Sequence, residues 1–171
     1  QGLGAALAPL GNDPRERHRY VVAVLREESG RGGSKAMHDE LRIGQSVTLG
    51  APRNFFPLAR DASRHLLIAG GIGVTPMMAM AAELQARQCE FFLHYCTRSP
   101  ERTAFRERVE ALADAGRAAI HYDGGEPSRG LDLAALLRKH EAGTHMYYCG
   151  PAGFMQAASA AAAHWPPGSV H

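Results

Sequence analysis

From residue 65 onward the chain alternates short apolar runs with segments of helical period and leaves little between them. This alternation constrains the fold more than any other feature. "HLLIAG" at 65–70 is apolar without polar alternation, the pattern of a parallel strand covered on both faces. A helix is predicted to follow, with Met77, Met80 and Leu84 inward and a Glu83–Arg87 pair on the wet side. "CEFFLHYCTR" at 89–98 is the second strand. After Ser99 and Pro100, a cap and first-turn pair, Phe105, Val109 and Leu112 mark a helix that Gly116 ends. "AAIHY" at 118–122 is the third strand. Asp132 caps a helix carrying Leu133, Leu136 and Leu137 and stopped by Gly143; "HMYYCG" at 145–150 is the fourth strand. A last helix runs from Pro151 to near Trp165, before Pro166. Strands alternating with helices in this way build βαβ units, so the fold class is α/β with a doubly wound parallel sheet.

Residues 12–60 read differently. "RYVVAVLREE" at 19–28 and "SVTLGAP" at 46–52 look like longer, antiparallel strands, separated by a glycine loop and a short helix around "SKAMHDEL". Two strands are too few for a sheet of their own, so this segment leans on the parallel domain or belongs to a larger barrel.

Composition removes several classes. With 45% hydrophobic and 21% charged residues the chain is ordinary for a globular protein, and no apolar run approaches the roughly 18 residues of a membrane span. The net charge of +2 is too small to argue for nucleic acid, and the basic run at Arg15, Arg17, His18 and Arg19 reads as a solvated strand entry. Cys89, Cys96 and Cys149 are an odd number without CxxC spacing, which suggests neither a disulfide framework nor a zinc site and fits a reducing cytoplasm. Gly143 separates His140 from His145 and removes any shared helix face for a metal. The opening "QGLGAALAPLG" lacks a basic start and is broken by Gly4, Pro9 and Gly11, so it does not read as a signal peptide.

Three glycine turns carry the chemistry. In open parallel sheets ligands bind beyond the carboxyl ends of strands, where helix N-termini present unpaired N–H groups. Gly70, Gly71 and Gly73 lie at such an end and let the backbone approach a pyrophosphate; Thr75 can cap the helix while its hydroxyl reaches a ligand, and Pro76 suits the first helical position. The pattern is GGxGxTP rather than GxGxxG, and such turns also occur for packing reasons. "YCGPAGF" at 148–154 places Cys149, Gly150 and Pro151 at the same edge, although a small buried thiol would equally explain Cys149. "GRGGS" at 30–34 offers a second anion site at Gly32, Gly33 and Ser34, with Ser34 as helix cap, or a plain hairpin connection. At the end of the second strand Thr97, Arg98 and Ser99 would meet an adenosine ribose, and Arg98 by itself suits a 2′-phosphate.

"GNDPRERHRYVVAV", "GRGGS", "APRNFFPL", "AGGIGVTPM", "HYCTRSPERTAF", "YCGPAGFM" and "HWPPGSVH", in this order, resemble the phthalate dioxygenase reductase and vanillate O-demethylase reductase family of the ferredoxin–NADP reductase superfamily. The resemblance covers residues 10–171. It implies a partial antiparallel flavin barrel at 1–60 and a nicotinamide-binding domain at 61–171. It implies that Gly71, Gly73, Thr75 and Pro76 cradle the dinucleotide, that Cys149, Gly150 and Pro151 sit near the nicotinamide, and that Gly32, Gly33 and Ser34 lie by the phosphate of FMN. Thr75 and Cys149 would position rings rather than exchange protons. Electrons would pass from NADH, which the resemblance favours over NADPH, through FMN to an iron–sulfur centre and an oxygenase partner.

The chain departs from the family pattern at Ala6, Leu7, Ala8 and Pro9, where the family has Arg-x-Tyr-Ser, and it has no C-x4-C-x2-C run. The expectation is a reductase fragment that holds NAD(H) and FMN, the [2Fe–2S] cluster belonging only to a longer chain. The alternatives are an NAD(H)-binding module without flavin or catalysis, and an interaction domain.

Overall fold

A computed structural model describes residues 15, 16, 18–51 and 53–171. The opening segment, the Ala6–Pro9 departure and Arg17 of the basic run lie outside them. Strand β1 (Arg64–Gly70) leads through a one-turn 3-10 helix (Gly71–Gly73) into helix α2 (Val74–Ala86); helix α1 (Gly33–Asp39) precedes them. There follow β2 (Glu90–Thr97), α3 (Arg106–Asp114), β3 (Ala118–Tyr122), α4 (Leu133–Leu137), β4 (Thr144–Cys149) and α5 (Ala152–Ala161).

The strands form one parallel sheet in the order β3-β2-β1-β4. The pleat sends Leu67, Ala69, Leu93, Tyr95 and Tyr147 into one core with Val74, Met77, Met80 and Leu84 of α2 and Val109 and Leu112 of α3. It sends Ile68 and Met146 to the other face, with Leu137, Ala162 and Trp165. Trp165 Nε1 donates to the Leu137 carbonyl at 2.9 Å, which satisfies the one polar group of a buried indole. The doubly wound reading is borne out, as is the Glu83–Arg87 pair at 3.3 Å. Among the described residues no helix is long and apolar enough to cross a membrane.

Three helix readings are corrected. Ser99 and Pro100 open a short 3-10 turn, and α3 begins only at Arg106 after Phe105, whose backbone is left-handed at φ 54°. Asp132 caps α4 as expected, its Oδ1 accepting from the Ala135 N–H at 2.9 Å, but α4 ends at Leu137 and not at Gly143. Pro151 is the N-cap of α5 rather than its first residue, and the helix gives way to turns after Ala161.

Among the described residues, the strands expected at 19–28 and 46–52 are not formed. Among the described residues before 64, none belongs to a strand ladder; Val22 makes a single bridge. A strand is stabilised by a neighbour that takes up its N–H and C=O groups, and the described residues put no second strand alongside these. Their apolar side chains are accordingly exposed, Tyr20, Leu25, Val47 and Leu49 among them. The helix near 34–41 is present as α1, but its N-cap is Gly32 at φ 93° and Ser34 lies inside it. Phe56 and Leu58 anchor the segment's end on the sheet, the Phe56 and Tyr147 rings 5.8 Å apart.

Candidate functional site

The chain runs from β1 outward through β2 to β3, then crosses back to set β4 on the other side of β1. The connections after β1 and β4 therefore diverge, and the crevice between their carboxyl ends is the point where open parallel sheets bind ligands. Ala69 pairs with Cys149 in register, so the turns at Gly70 and Gly150 leave the sheet side by side. A hollow of about 700 Å³ lies elsewhere: Arg64, Leu66, Phe92, Lys139 and Trp165 line it at the amino ends of the strands. Its charge is largely spent internally, because Arg64 pairs with both Glu90 and Glu141. The candidate site is the carboxyl edge, where the two glycine turns come together.

The glycines of that edge differ in purpose. A β-carbon on Gly73 would stand 2.1 Å from the Cys149 carbonyl oxygen and 2.7 Å from the Gly150 nitrogen. One on Gly150 would stand 2.7 Å from Phe154 Cδ1 and 3.1 Å from Gly70 Cα. These two glycines, and Gly70 with them, let the two turns touch. Gly71, at φ 52°, is the open one, since a β-carbon there would meet nothing. Gly153, in the first turn of α5, is open as well. Neither α2 nor α5 has a side-chain cap; the first N–H of α2, at Val74, is taken up by the Gly71 and Ile72 carbonyls of the 3-10 turn, whereas the first N–H groups of α5 precede its first helical bond, from Met155 N–H to the Pro151 carbonyl.

Thr75 is not the cap of α2. That place belongs to Gly73; Thr75 is buried, and its hydroxyl donates to the Ile72 carbonyl at 3.1 Å. Pro76 is correspondingly the third residue of the helix and not the first. Thr75 thus holds the shape of the glycine turn from beneath. Thr97 is also turned inward, its hydroxyl directed at the Arg102 carbonyl at 3.3 Å, whereas Arg98 is exposed at the end of β2. Cys149 is half-buried; burial pushes its thiol up, against a smaller opposing effect of a backbone hydrogen bond with Gly150, so it stays neutral at ordinary pH. Burial, reinforced by Asp123, pushes the Cys96 thiol up to about 12. Neither thiol is disposed to act as a nucleophile.

At the other glycine turn, Gly32 is left-handed with open space where its β-carbon would be. Ala36 N–H to Gly32 O is the first intrahelical bond, and Ser34 Oγ accepts from the Glu27 N–H at 3.1 Å. His140 and His145 go separate ways: His140 Nε2 meets the Thr144 carbonyl and the ring packs edge-on against Trp165, while His145 stacks on His171. Among the described residues no group of three or more His, Cys, Asp or Glu is placed to hold a metal. Sequence reasoning gave no role to Phe154 or Gly153. An aromatic residue on the first helical turn after a Gly-Pro was the available signal.

With this geometry in place, comparison with known proteins is decisive. Residues 52–166 match the family described as dimethylamine monooxygenase subunit DmmA-like, N-terminal domain. The chain belongs to this family. The DmmA-like chain is 49% identical over 162 residues to the reductase subunit of the tert-butanol monooxygenase / tert-amyl alcohol desaturase of Aquincola tertiaricarbonis, covering 95% of this chain and 48% of that one. It is 47% identical over 164 residues to the vanillate O-demethylase oxidoreductase of Pseudomonas putida, covering 95% and 51%. Phthalate dioxygenase reductase, described as a modular structure for electron transfer from pyridine nucleotides to [2Fe–2S], superposes with a TM-score of 0.91 at 41% identity, covering 96% of this chain and 51% of its own. The resemblance read from the motifs is borne out. The DmmA-like chain spans about half the length of the curated relatives it matches.

Proposed function

We propose that this chain is the nicotinamide-binding part, with a portion of the flavin domain at residues 1–60, of a reductase that passes electrons from NADH through FMN to an iron–sulfur centre serving an oxygenase. The observation that carries the reading is the junction of two glycine turns at the switch point of the sheet, with Gly71 open above it. The backbone there suits a pyrophosphate, the uncapped start of α5 supplies donors, and the neutral thiol of Cys149 gives a small, polarisable neighbour for a ring. Gly70, Gly71, Gly73, Gly150 and Pro151 shape this cradle; Thr75 and Pro76 support it from within α2.

FMN fits the second turn, where Gly32 opens space and the N–H groups of Gly33 and Ser34 precede the first helical bond. When bound, a flavin accepts a hydride and releases electrons singly. The side chains of this protein hold and orient; none is asked to move a proton. An NAD(H)-binding module without flavin is the second reading, favoured by Ser34 Oγ being occupied by the Glu27 N–H. Flavin absorbance that survives gel filtration at one equivalent would sink this second reading.

Calorimetric titration with NADH and NADPH tests the main one. Saturable NADH binding is expected, with Arg98→Ala changing it by less than about twofold, as for an exposed side chain outside the main contacts. A preference for NADPH that vanishes in Arg98→Ala would reverse the choice of cofactor, and no binding of either would end the proposal.

A further inference from the structure

We propose that Phe154 is a positioning residue for the nicotinamide end of this site, its ring being the spacer that sets the gap between the two glycine turns. The inference rests on the NAD(H) reading above and assigns a role to a side chain outside the glycine cradle. Phe154 stands in the first turn of α5 and packs against the core formed by Ile68, Met146 and Leu137. From there its ring reaches under both turns. A β-carbon on Gly70 would lie 3.0 Å from both Cδ1 and Cγ of the ring and 3.2 Å from Pro151 Cδ, and one on Gly150 would lie 2.7 Å from Cδ1. Carbon atoms in contact prefer about 3.5–4.0 Å, so the ring already fills the room that the two missing side chains leave.

The consequence is mechanical. Gly73 rests on the Cys149 carbonyl, and Gly150 rests on Gly70, so the two turns are held in register by backbone contact on one side and by an aromatic ring on the other. The ring fixes where the Cys149 thiol and the open backbone at Gly71 stand relative to each other without belonging to the open surface that Gly71 presents. Shrinking it leaves a void beneath the joint, and the turn at 149–151 is free to settle toward Gly70. A ligand that must span both turns then loses fit, while one held only at the end of β2 does not.

The test uses the chain as it is, with Phe154→Leu, Phe154→Ala, Gly150→Ala and the double variant Gly150→Ala with Phe154→Leu. Affinities for NADH and for AMP, which probes the adenosine end alone, are measured for each together with a thermal melt. Phe154→Ala should weaken NADH at least about tenfold, since ångström-scale misplacement of binding groups carries large penalties. AMP should change by less than about twofold. Gly150→Ala should weaken NADH by itself, because its methyl meets the ring at 2.7 Å and the Gly70 backbone at 3.1 Å, and the double variant should recover the part of the loss that the ring causes, because leucine yields that space. If Phe154→Ala does not fold, the leucine, glycine and double variants decide the matter. NADH affinity unchanged in all variants, equal losses of NADH and AMP, or no recovery in the double variant would overturn the positioning role. Failure of the parent chain to bind NADH or AMP would instead overturn the NAD(H) reading, and the proposal with it.

Discussion

The described residues before 56 and the residues after 63 are both rich in strand-forming apolar side chains, yet only the second set buries them. Leu67 and Ile68 on β1 are fully buried, whereas Leu49 is 66% and Phe55 76% exposed. The difference lies in neighbours. β1 has β2 on one side and β4 on the other, both delivered by crossover helices within the same 108 residues from 64 to 171, so each apolar side chain finds a face to pack on. Tyr20, Leu25, Val47 and Leu49 have the same chemistry but no second strand beside them among the described residues. Sequence pattern sets which residues could pair; the sheet exists only where the partner is also supplied.

The sharpest way to break this comparison is to truncate one side chain on each side of it. Leu67→Ala should cost about 2–5 kcal/mol, the transfer term plus the cavity left behind. Leu49→Ala should fall within about 0.5 kcal/mol, as surface substitutions do. Urea unfolding of both variants gives the numbers, and a Leu49→Ala cost as large as that of Leu67→Ala would show that the early segment is packed in solution. A finer comparison sets two glycines of the sheet half against each other. Gly73→Ala puts a methyl 2.1 Å from a backbone carbonyl and should destabilise by about 1–3 kcal/mol, the usual range for overpacking. Gly153→Ala meets nothing and sits in a helix, so it should stabilise by up to about 1 kcal/mol. Equal melting temperatures for the two would mean that the turns do not touch as described.

How much could be read beforehand follows from the same distinction. All four parallel strands were legible because each is a short apolar run bounded by glycine or proline, and Asp132 announced its helix because capping is local chemistry. The edge that carries the site was legible too, since Gly70 and Gly150 both end strands. What was not legible depends on contacts between distant segments. Gly73 looked like a ligand-facing glycine, but its neighbour is Cys149, 76 positions away in the sequence. Thr75 looked like a cap, but the 3-10 turn at Gly71–Gly73 moved the start of α2 forward and buried it. Phe105 was expected within a helix begun by Pro100, and a left-handed backbone at that position intervened.

Acid also separates the two regions. His94 on β2 and His121 on β3 stack with ring centroids 5.2 Å apart and Nδ1 to Nε2 at 3.0 Å, a bond in which one ring donates and the other accepts. Burial, and then the neighbouring His121, pull His94 down from 6.5 to about 4, and burial lowers His121 as well. The folded state therefore takes up fewer protons than the unfolded chain between these values. Stability from these rings is fully present above about pH 6.5 and declines as the pH falls toward about 4. His65 and His171 are lowered by burial too, so the loss belongs to the sheet half and adds to that of the stacked pair. Urea midpoints should hold steady from about pH 8 to 6.5 and then fall, and His94→Leu should make the fall shallower without abolishing it, because the other three rings remain. An identical slope in parent and variant would mean that His94 is solvated, and that this face of the sheet is as open as the early segment.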